Sequence, residues 1–294
     1  MPADPLLAQA SCLAAVVATL AAAAGAVRAR GSTAVPAAAW AVAACLSFAL
    51  ESAVRASGGL ATPATAAAVR LAVAALAMCP AMSLLGAKRP QHGVWQFIVA
   101  SLAVVLAMPA VSALLVRPGS LPDVHLLERG FLLVLSLVGW MNFAATRRGL
   151  AATLVTAGQL AIIRPFLPAV ATPEAMEQPL FDCVGGWLVA AGGVLALLQG
   201  WRPAAARPGP ASLVDPPFLA LRETLGAAWA LRVAERFDAV AASRGWPCRL
   251  RFNGLEAGGD PADVSWHRDA LRAFRSLMHR FVTDDWLARH GYHA

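Results

Sequence analysis

Charge is scarce in this chain. Asp, Glu, Lys and Arg make up 14% of its 294 residues and hydrophobic residues 59%, whereas an ordinary soluble domain carries about 25% charged residues. A soluble fold over the whole length is thereby excluded. Lysine occurs once, at Lys88, so the net charge of +7 rests on arginine. Those arginines are spread over connecting segments and mixed with acids. No basic stripe with interleaved aromatics occurs, and nucleic acid is set aside as a partner. The five cysteines (Cys12, Cys45, Cys79, Cys183 and Cys248) form no CxxC. The first three lie in apolar runs, where Cys behaves as a small hydrophobe, so neither a disulfide framework nor a zinc site is expected. Phosphate-cradling Gly loops, a Ser-His-Asp context and a nucleophile elbow are also missing. No catalytic residue, metal or cofactor is therefore assigned. His290-x-x-His293, with His279 or His267, lacks a patterned acid and reads as a solvated tail.

What the chain has in quantity is long apolar runs. A membrane span needs about 20 such residues, and seven segments qualify: 6–27, 35–54, 61–85, 94–116, 130–146, 150–171 and 181–201. The fifth is short and Arg164-Pro165 interrupts the sixth. The first lacks a basic leader and exceeds a signal-peptide core, so it reads as a retained span. Alternate connections carry Arg28 and Arg30, Lys88 and Arg89, Arg147 and Arg148, and Arg202 and Arg207. The opposite connections carry only Arg55, Arg117 and Arg129, together with several acids. Basic residues mark the cytoplasmic side, which places the amino terminus outside and the carboxyl terminus in the cytoplasm of a bacterial inner membrane. Trp40, Trp95 and Trp201 fall at the same ends, as an interfacial belt requires.

The charges also divide the chain. Residues 1–201 hold 11 Lys/Arg and 7 Asp/Glu, and residues 202–294 hold 13 and 10. We expect a membrane domain over 1–201, a Pro/Ala/Arg linker over 202–214, and a cytosolic α-rich module over 215–294. Asp215-Pro216-Pro217 reads as a helix start, and Phe218, Leu221, Leu225, Trp229, Val233 and Phe237 make one apolar stripe. Cys248, Leu250 and Phe252 alternate with Arg249 and Arg251 as a single short strand. Glu256 to Asp260 reads as a Gly-rich turn. A second helix starts at Asp260-Pro261, and Thr283-Asp284-Asp285-Trp286 caps a last one. The fold class is thus an all-α membrane protein, a seven-helix transmembrane bundle with a small, mostly helical module. The basic turn Gly86-Ala87-Lys88-Arg89-Pro90-Gln91, the Trp95-Gln96-Phe97-Ile98-Val99 span start and the Arg-rich helix ending in Arg244-Gly245-Trp246-Pro247 resemble a family of bacterial multi-pass membrane proteins. The resemblance implies a shared architecture from Leu84 onward and carries over no functional residue.

Charges inside spans are the strongest functional pointers, because each costs several kcal/mol unless paired or wet. Glu51 lies near the outer end of span two, and Arg70 about 14 Å in from the outer end of span three. Arg164 lies in the outer third of span six, and Asp182 begins span seven. These four form a candidate pocket for an anionic or zwitterionic ligand. The competing reading has Glu51–Arg70 and Arg164–Asp182 as structural ion pairs, or the arginines snorkelling outward. Gln96, Asn142, Gln159 and Gln199 suit hydrogen bonds between helices, or else a permeation path. Small residues on spans one and seven suit close packing, with an oligomer face as the alternative. The leading expectation is a membrane scaffold or sensor, embedded in the lipid bilayer, that offers residues 215–294 to a cytosolic or membrane protein partner. A small-solute transporter and a membrane-embedded enzyme are the alternatives.

Overall fold

The computed structural model describes residues 5–60, 62–89, 91–168, 178–199, 211–258 and 265–292. Seven of its helices are long and apolar enough to cross a membrane. They are α1 (Pro5–Arg28), α2 (Val35–Ala56), α3 (Pro63–Leu85), α4 (His92–Val111), α5 (Leu126–Ala144), α6 (Gly149–Ile163) and α7 (Gln178–Leu198). Each falls on one of the expected spans. α5 starts earlier than expected because His125 and Glu128 form a capping box, which satisfies orphan N–H groups of the first turn. α4 passes through Pro109 into a single π turn, Ser112–Val116, the kind of local defect that proline provokes in a helix. The helical sixth span ends at Ile163 and closes in a 3-10 turn, Arg164–Phe166. Its expected end at 169–171 lies outside the described residues.

The helices do not pack as a solid bundle. α1 touches α2 and α7, α2 touches α3, α3 touches α5, α5 touches α6, and α6 touches α7. Six helices thereby close a ring, α3 also touches α6 across it, and α4 packs against α3 from outside. Small residues make the tight seams. Ala14 and Ala15 of α1 are fully buried, and a Cβ on Gly186 or Gly193 of α7 would press on Ala14 or Ala21. The small-residue stripe is therefore used for close packing within the chain. Large side chains such as Phe97, Leu115, Leu127 and Leu198 point outward, where lipid would meet them.

The C-terminal module comprises α8 (Ala211–Leu225), α9 (Ala227–Arg244), the hairpin β1 (Cys248–Arg251) and β2 (Gly254–Ala257), α10 (His267–Met278) and α11 (Asp284–Arg289). Two local expectations are corrected. The first helix begins at Ala211, and Asp215 lies within it. Its carboxylate does not cap that helix: Oδ1 accepts from the Leu255 N–H at 2.6 Å and lies against Gly254. The strand is also not single. Leu250 pairs with Leu255 across a two-residue turn, and the Leu250 N–H donates to Asp238 Oδ1 at 2.6 Å. Gly-Leu-Glu-Ala has weak intrinsic strand preference, so pairing and two helix-borne carboxylates make it a strand. The expected helix start at Asp260-Pro261 lies outside the described residues. Thr283 does cap α11, accepting from the Trp286 N–H. The histidine tail is packed as far as it is described. His290 stacks on Trp286 at 3.8 Å, and Tyr292 is buried with its hydroxyl donating to Leu271 O at 2.8 Å. Stacking and that one buried hydroxyl hold a segment that composition alone marks as frayed.

The module sits on one end of the ring and shares a core with it. Ala29, Ala34 and Ala87, from the α1–α2 and α3–α4 connections, belong to the same buried cluster as Phe218, Leu221, Phe237 and Trp286. Ser32 and Val282 form an antiparallel bridge, with Thr33 N–H donating to Phe281 O and Thr283 N–H to Gly31 O, both at 2.8 Å. Arg89 N–H donates to Arg280 O at 3.0 Å. At the α5 end, Asn142 clamps the α8–α9 corner: Nδ2 donates to Leu225 O at 2.9 Å and Oδ1 accepts from Ala228 N–H at 3.1 Å. Gly226, at φ +89°, lies directly under that amide, where a Cβ would overlap it.

Candidate functional site

The far end of the ring, away from the module, is built around Arg70. It stands two turns into α3 and is 3% exposed. Its Nε lies 2.9 and 2.8 Å from the two oxygens of Glu51, and Nη2 lies 2.6 Å from Oε1. Nη1 hydrogen-bonds Asp182 Oδ1. Glu51 Oε1 also accepts from Arg55 one turn along α2 at 2.6 Å, and Asp182 Oδ1 accepts from Gln178 Nε2 at 2.7 Å. The Phe48 ring lies 5.8 Å from the Arg70 guanidinium. The four charged groups sum to zero, and they tie α2, α3 and α7 together across the mouth of the ring. Such a buried network holds only while every member is matched, because an orphaned charge there carries the whole desolvation cost. Three atoms of the network are exceptions, Asp182 Oδ2, Arg55 Nε and Gln178 Oε1, each buried with no hydrogen-bond partner among the described residues.

Of the four predicted site residues, three converge. Glu51, Arg70 and Asp182 meet as described, while Arg164 lies with its guanidinium 4.0 Å from the centre of the Phe181 ring. The Arg164–Asp182 pairing is replaced by Arg70–Asp182, since Arg70 reaches both acids from α3. Sequence reading missed Arg55 and Gln178. Both stand four residues from a member of the cluster, so helical spacing alone could have flagged them.

Between this network and the module the ring is hollow. A cavity of about 360 Å³ is lined by all six ring helices, a size typical of small-molecule sites. Its walls are mostly small and apolar, including Ala77 and Ala81 of α3, Gly139 of α5, Ala152 of α6 and Gly192 of α7. Along α3 the lining runs from Val73 to Leu84, about 16 Å at the helical rise. The polar side chains nearby are largely spoken for. Ser136 Oγ donates to Leu132 O at 2.9 Å and Gln159 Nε2 to Ala77 O at 2.9 Å. Outside the ring, Gln96 Oε1 accepts from Trp40 and Ser83 at 2.9 and 3.0 Å. Gln96 and Gln159 thus bond between helices, Asn142 serves the module, and Gln199 Oε1 is buried without a partner among the described residues.

Arg148 lines the module end of the cavity, immediately before α6. Burial lowers its pKa, Glu223 opposes that lowering, and Arg28 adds to it. Among the described residues its guanidinium has no hydrogen bond or ion pair. A second cavity of about 330 Å³ lies on the module side of the α3–α4 connection, where Lys88, Arg232, Arg236 and Arg280 surround Glu235 between Trp229 and Phe281. Grouped histidines, cysteines and acids able to hold a metal are absent among the described residues. No family model, curated protein or solved structure matches the chain, so function is argued from geometry.

Proposed function

We propose that the protein is an integral membrane scaffold or sensor that holds a cytosolic module against the inner face of a bacterial plasma membrane, with its amino terminus outside. One observation carries this reading: the module shares its core with the α1–α2 and α3–α4 connections and is clamped at a third point by Asn142. A change in the ring at any of these points is felt by the module directly. The connections that carry Arg28 and Arg30, Lys88 and Arg89, and Arg147 and Arg148 lie on that same side, as do Arg232, Arg236 and Arg280, which supports a cytoplasmic, anionic-leaflet placement. The charge-balanced Arg70 network, which ties three helices together, suits a fixed outer closure better than a ligand pocket. Solute transport needs a connected polar path through the ring, and the apolar lining of the cavity argues against one.

The orientation is tested by single cysteines in a background without native Cys. Gly93→Cys should label only from the cytoplasm and Leu121→Cys only from outside; the reverse pattern would overturn the topology. The docking role is tested by a photoreactive residue at Arg249, on the exposed edge of the hairpin, in intact cells. Discrete protein adducts are expected from Arg249 and not from the same photoreactive residue placed at the outward-facing Val104. Adducts to lipid alone, together with solute uptake by reconstituted vesicles, would replace the scaffold reading with a transporter.

A further inference from the structure

The cavity in the ring and the arginine at its end describe a ligand. Three features bear on its chemistry. The first is length: about 16 Å along α3, close to the roughly 15 Å of hydrocarbon in one leaflet. The second is the wall. Ala, Gly and Val, with larger apolar residues such as Phe48, Met78 and Phe143, leave an apolar space among six helices, which favours an apolar occupant over water. The third is Arg148. A guanidinium at the edge of an apolar space is stable only with an acceptor or with water, and among the described residues it has no hydrogen bond. Glu223 is near enough to act on it electrostatically. Its Oε1 accepts from Arg222 at 3.0 and 2.8 Å and from the Arg147 N–H at 3.4 Å, and its Oε2 is buried without a hydrogen-bond partner among the described residues, so no hydrogen bond ties Glu223 to Arg148. Arg28, whose Nη1 donates to Leu197 O at 2.6 Å, adds positive charge at the same end.

We propose that the ring is a binding site for a long-chain carboxylate, a fatty acid anion, with its chain in the cavity and its headgroup on Arg148. One chain of leaflet length fills the space, whereas the second chain of a phospholipid would be left outside. The carboxylate supplies the paired acceptors that a guanidinium fork takes best. This assignment stands whether or not the module has a protein partner.

The test uses the full chain in phosphatidylcholine nanodiscs and a photoreactive palmitate with a mid-chain diazirine. Adducts are expected on peptides bearing Ala77, Ala152 or Val155. Unlabelled palmitate should compete about tenfold better than hexadecanol, the size of one charge-assisted hydrogen-bonded pair. Arg148→Gln should erase that preference while leaving chain labelling in place. Ala152→Phe should block labelling by filling the cavity; should that variant fail to fold, Ala77→Leu should reduce labelling with the thermal transition retained. Adducts confined to lipid-facing positions such as Val104 and Leu137 would overturn the site. Equal competition by acid and alcohol would overturn the role of Arg148. Preferential labelling by a photoreactive phosphatidylglycerol would overturn the single-chain assignment.

Discussion

The two halves of the ring solve opposite problems. At the far end, Arg70, Glu51, Arg55 and Asp182 bring charge into the span region and neutralise it within a few ångströms. Toward the module the ring lines a cavity with almost no charge, and the polar work is done below it by Asn142, Trp229 and backbone groups of the connections. One half is held by matched ions that tolerate no loss of a member. The other is held by shape, and by a module whose core takes in Ala29, Ala34 and Ala87 of the connections. The difference teaches that charge within the spans is confined to the far mouth, whereas the space between it and the module is apolar.

The sharpest way to break that contrast is to remove the central ion. Arg70→Gln leaves Glu51 and Asp182 buried side by side with only Arg55 to compensate, and should cost about 3–5 kcal/mol. Thermal unfolding of the purified protein in mild detergent checks it. Adding Glu51→Gln and Asp182→Asn to the same chain should recover much of the loss, because the orphaned charges are then gone. A triple variant no more stable than Arg70→Gln would mean that the ions do not act as a unit.

At the other end, Gly226→Ala should cost about 1–3 kcal/mol. Its φ of +89° strains any side chain, and the new Cβ would overlap the Asn142 amide. The effect should appear chiefly as faster proteolysis of the module, with the ring helices still protected in hydrogen exchange. Trp229→Phe is expected to be milder, about 1 kcal/mol, since it removes the indole donor to Leu84 O at 2.7 Å but keeps most of the packing on Phe281. If both variants loosen the far mouth as much as the module, the two halves are a single cooperative unit and the contrast fails.

Much of the far mouth was legible in the sequence and little of the module end was. Glu51, Arg70 and Asp182 stand out because intramembrane charge is rare and must be matched, so their convergence follows from topology and sign. Which acid takes which arginine does not follow, because it depends on how α7 rotates against α3. The spans were readable from length and hydropathy, but the hollow between them was not. Periodicity shows that Ala77, Gly139 and Ala152 are small; it cannot show that they face one another. Arg148 read as a loop cation that sets orientation, and only the closure of α5 onto α6 turns it inward. The second strand was hidden for a similar reason, since beyond its pairing with β1 it is held by Asp215, which is distant in sequence.

The smallest expected effect is on pH, and it sharpens the contrast from the module side. His290 stacks on Trp286, and burial is the chief cause that lowers its pKa, with Arg289 pushing the same way and its bond to Trp286 O opposing. Above the ordinary histidine value of about 6.5, both folded and unfolded chains hold this ring neutral, and it adds no pH dependence. As pH falls below that value the unfolded chain takes the proton first, so stability declines until the lower folded pKa is passed, and then levels off. The thermal transition of the module should therefore fall by a few degrees at most between about pH 7.5 and pH 5.5. His290→Gln keeps a polar side chain and removes the proton site, so it should flatten the profile over that window. A profile unchanged by His290→Gln would assign the pH response to another group and remove this histidine from the account.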